Sequence, residues 1–254
     1  MDVNYAQASR YAILCQKIYQ DLTPELFGEF ASKPVFLDIK DTDTQCVILT
    51  DNAHVIVVFR GSESSVDWKT NLDTPQSQAS FDKNVIEAAI VNEGKLEQIY
   101  PYQGESRSNA KMHCGFTRAY FSVRNDIHTY IANRDVTKIT TTGHSLGGAL
   151  ASLCAVDLQY NFTDKVQTIE VYTYGSPRVG NEGFRASFNR RVPNSYRFVH
   201  GVDIVPALPR WWQGQYRHVD RAYRIGNRLR WNFLSARFKD HAIDNYIEAL
   251  KQRM

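Results

Sequence analysis

The stretch that most limits what this chain can fold into is ITTTGHSLGGALASL, from Ile139 to Leu153. A β-branched run suited to a pleated strand ends at Gly143-His144-Ser145-Leu146-Gly147, and Ala- and Leu-rich sequence suited to a helix follows at once. Strand and helix joined without a loop demand a sharp turn. Side chains at Gly143 and Gly147 would collide with neighbouring backbone there, and the serine between them is presented at a strand's carboxyl end. The bare G-x-S-x-G pattern arises by chance in about 5–10% of chains this long. Its position between strand and helix is what makes it informative.

The rest of the chain repeats the alternation. QCVILTDNAHVIVVFRG reads as two strands about the turn Asp51-Asn52, the second from His54 to Phe59. Phe116, Tyr120, Val123, Ile127, Tyr130 and Ile131 have helical spacing, and so do Tyr5, Ala8, Ala12, Cys15 and Tyr19 near the N-terminus. TIEVYTYG and SYRFVHG predict strands, and EGFRASFNRR and HAIDNYIEALKQR predict helices. A short helix is expected around residues 65–72 of an otherwise polar segment, Ser62 to Ser80. Strands alternating with helices imply an α/β fold, with a mainly parallel central sheet and helices on both faces. Such a fold carries its active groups at the carboxyl ends of strands. A length of 254 residues with 43% hydrophobic content suits a single domain over residues 1–254.

Several function classes are disfavoured. No run approaches the eighteen or so apolar residues of a membrane span. The N-terminus, MDVNYAQASRYAILCQKIYQ, lacks the basic start and compact apolar stretch of a signal peptide, so a cytoplasmic location or non-classical secretion is expected. Cys15, Cys46, Cys114 and Cys154 show no C-x-x-C pairing, which predicts reduced thiols and no metal site. A net charge of +3 argues against nucleic-acid binding. The charge is uneven, however: from Arg178 onward fifteen Lys and Arg face six Asp and Glu.

A serine hydroxyl is a poor nucleophile without a base, and the base needs an acidic orienter. For a nucleophile elbow the chain order is Ser, then Asp or Glu, then His. His218 and His241 are the histidines that follow a plausible acid. His218 lies in a strand-like stretch, whereas His241 follows a loop and begins the last helix, so His241 is favoured as base. Asp203, just past a strand end and stiffened by Pro206 and Pro209, is favoured as acid. Asp157 and Asp164 fall too early, Asp220 shares the stretch of His218, and Asp240 adjoins the base. The N–H of Leu146, at the start of the helix behind Ser145, is a candidate oxyanion donor.

The residues now resemble a family, the class 3 (fungal-type) lipases of the α/β-hydrolase fold. Besides GHSLGGALASL, the blocks VVFRGSES with WKTNL, HCGFTRAY, YTYGSPRVGN, VDIVPALP and DHAIDNYI stand in family order from about Val55 to Ile247. The resemblance implies an α/β-hydrolase with Ser145, Asp203 and His241 as triad. It also implies oxyanion donors at the backbone N–H groups of Ser62 and Leu146, with the Ser62 hydroxyl as a further contact.

It further marks Ser62 to about Ser80 as a lid, with Val66, Trp68 and Leu72 as its large apolar residues. A lid this polar predicts weak interfacial activation, since a lid that opens on oil needs an apolar inner face. Trp211 and Trp212, just past the acid loop, are candidates to line an acyl groove or contact an interface. RIGNRLRWNFLSARFKDH, rich in Arg and aromatics, is a candidate for peripheral contact with lipid. The expected activity is serine ester hydrolysis of acylglycerols or related esters, with no cofactor. A phospholipase or a short-chain or aromatic esterase is the nearest alternative, and a non-catalytic lipid- or partner-binding module is the alternative from another class. Residues 81–111 carry no readable signature, and oligomeric state is not legible.

Overall fold

Helix α1 (Tyr5–Lys17) leads into three strands, β1 (Val35–Ile39), β2 (Thr44–Asp51) and β3 (His54–Phe59). A short ribbon of β4 (Gln76–Ser77) and β5 (Met112–His113) precedes α2 (Cys114–Ala132). Then follow β6 (Lys138–His144), α3 (Leu146–Asn161), β7 (Thr168–Tyr174) and α4 (Glu182–Arg191). The chain closes with β8 (Asn194–His200), β9 (Ala222–Ile225) and α5 (Ile243–Lys251). The computed structural model describes residues 3–62, 76–77, 109–209, 215–227 and 239–254.

Seven strands form one sheet in the order β1-β2-β3-β6-β7-β8-β9. The first three pair antiparallel, and from β3 onward every pair is parallel. Phe59 lies opposite Gly143, His144 opposite Tyr174, and Tyr174 opposite Phe198. The segments that begin at Arg60, Ser145, Gly175 and Gly201 therefore all leave the sheet along one edge. That edge gathers four distant parts of the sequence.

Alternation along the strands feeds two cores. In β3, Val55, Val57 and Phe59 face α2 and α3, while Ile56 and Val58 face α1 and α5. Helix α3 is buried almost all round, which marks a central helix rather than an amphipathic surface one. Helix α5 buries Ile243, Tyr246, Ile247 and Leu250, a spacing of 3, 4 and 7 that turns one face inward. Deleting any of these large side chains would cost about 2–5 kcal/mol through lost burial and the cavity left behind.

Two local expectations need correction, and one strand had no reading: β1 carries no clear apolar alternation, because it lies at the sheet's end and is only partly buried. The stretch around His218 is largely loop, with an isolated bridge at Arg217 before β9 starts at Ala222. His241 does not begin the last helix. It sits in the preceding turn, and α5 starts at Ile243. The expected helix at residues 65–72, the lid residues Val66, Trp68 and Leu72, Trp211 and Trp212, and the Arg-rich segment 228–238 lie outside the described residues.

Candidate active site

The turn between β6 and α3 has the strain its sequence implies. Ser145 has φ +61° and ψ −132°, a conformation that L-residues rarely adopt and that the surroundings must enforce. Its N–H donates to the Tyr174 carbonyl at 2.9 Å, which ties the turn to β7. A Cβ on Gly143 would lie 2.1 Å from the Gly147 oxygen, and one on Gly147 would lie 2.3 Å from the Phe59 oxygen. Both contacts are with backbone, so neither can be relieved by a rotamer change. Ser145 occupies the N-cap position of α3, yet its hydroxyl makes no capping bond. A serine retained for helix stability would cap the helix. This hydroxyl turns instead to a histidine.

Ser145 Oγ lies 2.8 Å from His241 Nε2, and His241 Nδ1 lies 2.8 Å from Asp203 Oδ2. The carboxylate is an obligate acceptor, so Nδ1 carries the proton and Nε2 is free to accept from the serine. Asp203 Oδ2 also accepts from the Tyr246 hydroxyl at 2.5 Å, and Oδ1 accepts from the Val205 N–H at 2.9 Å. Three donors hold a side chain with no exposed surface, which offsets the cost of burying its charge. Gly175, at φ +61°, leaves the necessary room: a Cβ there would lie 2.9 Å from both Asp203 Oδ2 and His241 Nδ1.

The loops that carry the acid and the base are fastened to each other. Asp240 accepts from the Val202 N–H at 2.9 Å, and its carbonyl lies 3.2 Å from His200 Nδ1. Arg178 donates to the carbonyls of Ala207 and Pro209 at 2.8 and 2.7 Å, clamping the chain just beyond Asp203. His218 serves the same loop, its Nε2 bonding the Pro206 carbonyl. Burial, and then the nearby Arg197 charge, hold its imidazole well below the usual histidine range. The two late histidines thus bond to different parts of one loop: His241 meets the Asp203 side chain, and His218 meets the Pro206 carbonyl.

Leu146 is the first residue of α3, in the turn whose N–H groups lack intrahelical acceptors, and it packs with Ile204, Val205 and Leu208. Ser62 follows Gly61, where a Cβ would lie 3.0 Å from Ser145 Cβ. The expected oxyanion donors therefore belong to two segments, one that follows Ser145 directly and one that follows Gly61, which lies against it.

Tyr246, Gly175 and His144 escaped the reading of the sequence. Tyr246 had a usable signal, since it lies on the apolar face of the last helix. For Gly175 the sequence offered only its place after a strand.

The architecture is that of an α/β-hydrolase, with a strained serine at the edge where the parallel strands end. Residues 56–212 match the class 3 lipase family, and the chain belongs to that family. A secreted mono- and diacylglycerol lipase of Fusarium solani is 30% identical over 182 residues, 69% of this chain and 46% of that protein. A phospholipase A1 of Oryza sativa subsp. indica is 31% identical over 161 residues, 61% of this chain and 39% of that protein. The chain thus spans less than half the length of each of these two relatives. A solved triacylglycerol lipase, described as having a serine protease triad at its catalytic centre, superposes with a TM-score of 0.67 at 25% identity. That superposition covers 87% of this chain and 79% of the other. Among the described residues no helix is long and apolar enough to cross a membrane.

Proposed function

We propose that this chain is a serine carboxylester hydrolase of lipase type, cleaving acylglycerols or related esters through an acyl-enzyme. The observation that carries the reading is the continuous hydrogen-bonded path from Ser145 Oγ through His241 to Asp203, 2.8 Å at each step. His241 Nε2 takes the proton of Ser145 as Oγ attacks the ester carbonyl. Asp203 holds the imidazole in the required tautomer and stabilises the imidazolium that forms. The backbone N–H groups of Ser62 and Leu146 receive the charge that develops on the carbonyl oxygen. His241 then gives its proton to the departing alkoxide oxygen, releasing the alcohol and leaving the acyl group on Ser145. Water, deprotonated by the same imidazole, attacks the acyl carbon, and the acid leaves as Ser145 regains its proton.

Support comes from the family membership and from the triacylglycerol lipase with its serine protease triad. The reading takes residues 1–254 as one domain and a lipid or ester as the substrate. A second reading, hydrolysis of an acyl ester of phospholipid, is supported by the rice relative. A fluorophosphonate probe separates an enzyme from a binding module: stoichiometric labelling is expected, abolished in Ser145→Ala. A folded wild-type protein that does not label would overturn the proposal. Rates on p-nitrophenyl esters, emulsified triglyceride and phospholipid vesicles then assign the substrate class.

A further inference from the structure

Behind the site lies a polar contact that the mechanism above does not use. His144, immediately before the serine, is buried, and its ring lies 4.5 Å from the ring of His241 at an interplanar angle of 32°. Its Nε2 is 2.7 Å from the backbone carbonyl of His241. A carbonyl can only accept, so Nε2 carries the proton and Nδ1 presents a lone pair. The Tyr19 hydroxyl is 3.0 Å from that Nδ1 and is therefore the donor. Burial and then the neighbouring Cys15 push the Tyr19 phenol upward, so it keeps its proton.

The phenol oxygen also lies against the Gly61 backbone. The approach is so close that a Cβ on Gly61 would stand 2.3 Å from that oxygen. Tyr19 thus stands against Gly61 at one end of a hydrogen-bonded path that runs through His144 to the His241 carbonyl. Its ends touch the segment carrying one oxyanion donor and the backbone of the base. Burial, and the nearby His241, hold the His144 ring well below the usual histidine range. A neutral ring against His241 adds no repulsion when His241 becomes a cation.

Resting on the hydrolase reading, we infer that Tyr19 and His144 are positioning residues, a relay that sets the Gly61–Ser62 oxyanion segment in register with the base His241. Neither touches substrate. Their effect is on the alignment of donor and base in the transition state, so it belongs in kcat more than in KM.

The test uses the full chain, a dissolved p-nitrophenyl ester, and active sites counted with a fluorophosphonate. Tyr19→Phe and His144→Phe should each lower kcat per labelled site about 10- to 50-fold with KM within about 3-fold. Affinity for an alkyl boronate, which mimics the tetrahedral intermediate, should fall by a similar factor. The double variant should be no worse than the poorer single by more than about 3-fold, because one path is cut once or twice. His144→Gln carries a donor and an acceptor on one amide and should recover most of the loss; this variant also decides the matter if Tyr19→Phe fails to fold. Unchanged kcat in Tyr19→Phe, multiplicative losses in the double variant, or equal loss in His144→Gln and His144→Phe would each overturn the relay. A folded wild type that does not label would overturn the hydrolase reading itself, an outcome distinct from any of these.

Discussion

Asp157 and Asp203 are both buried, and each is bonded by a histidine and a tyrosine, yet they are suited to opposite tasks. Asp157, on α3, receives His128 Nε2 at 2.7 Å and the Tyr120 hydroxyl. It also receives a fork from Arg124 at 2.9 and 3.1 Å and the Asn161 amide at 2.8 Å. The guanidinium is a permanent cation, so the carboxylate is neutralised whatever the histidine does. Asp203 has His241 as its ion-pair partner among the described residues, with Tyr246 and the Val205 N–H as neutral donors. Its field remains available to a proton arriving on His241, and the other nitrogen of that ring faces a serine. An Asp–His–Tyr cluster is therefore not diagnostic of catalysis. A fixed cation on the carboxylate marks the helix-packing tie, and a serine facing the histidine marks the active site.

The largest expected difference is in turnover. Asp203→Asn should lower kcat by about 10⁴-fold with little change in melting temperature, since the amide preserves the shape but favours the wrong tautomer. Steady-state kinetics beside thermal melts measure both, and a loss below about tenfold would remove the contrast with Asp157.

The converse substitution acts on stability. Asp157→Ala leaves Arg124 buried without its carboxylate and should cost about 3–5 kcal/mol in urea unfolding. Turnover per labelled site should stay within about 3-fold of wild type. A turnover collapse with intact stability would mean that Asp157 belongs to the chemistry after all.

The two tyrosines sharpen the comparison at smaller scale. Tyr246→Phe removes one donor from Asp203 and should lower kcat about 3- to 10-fold. Tyr120→Phe should instead cost about 1–2 kcal/mol of stability and leave kcat alone, consistent with the loss of one buried hydrogen bond. Equal kinetic effects would erase the distinction.

The smallest effect is on the pH dependence of stability, and it should be independent of both aspartates. His144 and His218 are held below their ordinary value of 6.5, chiefly by burial. The unfolded chain takes up these protons as pH falls through 6.5 while the folded chain does not. Stability should therefore be flat above that value and decline below it. The decline should persist in Asp157→Ala and Asp203→Asn. It should become shallower in His218→Gln, whose amide can still donate to Pro206. Thermal melts between about pH 7.5 and 5 decide this, and a flat profile in the wild type would contradict it.

What the sequence determined by itself was local. The period of apolar residues located α1 and α2, Ala and Leu density located α3, and a β-branched run ending in glycine located β6 and its turn. Gly143 and Gly147 announced the elbow because steric exclusion there acts between atoms a few residues apart. Chain order and loop position favoured His241 and Asp203 over their neighbours. The edge strand β1 was not legible, since half-burial leaves no sharp alternation. Tertiary structure decided which side chains meet. The bonds at the site join Ser145 to His241 across 96 residues, Asp203 to Tyr246 across 43, and Tyr19 to His144 across 125. No periodicity records separations of that kind. Serine, histidine, aspartate and tyrosine are ordinary residues until a shared sheet edge removes water and fixes their distances. It is the partner within hydrogen-bond reach, and not residue type, that separates His241 from His218 and Asp203 from Asp157.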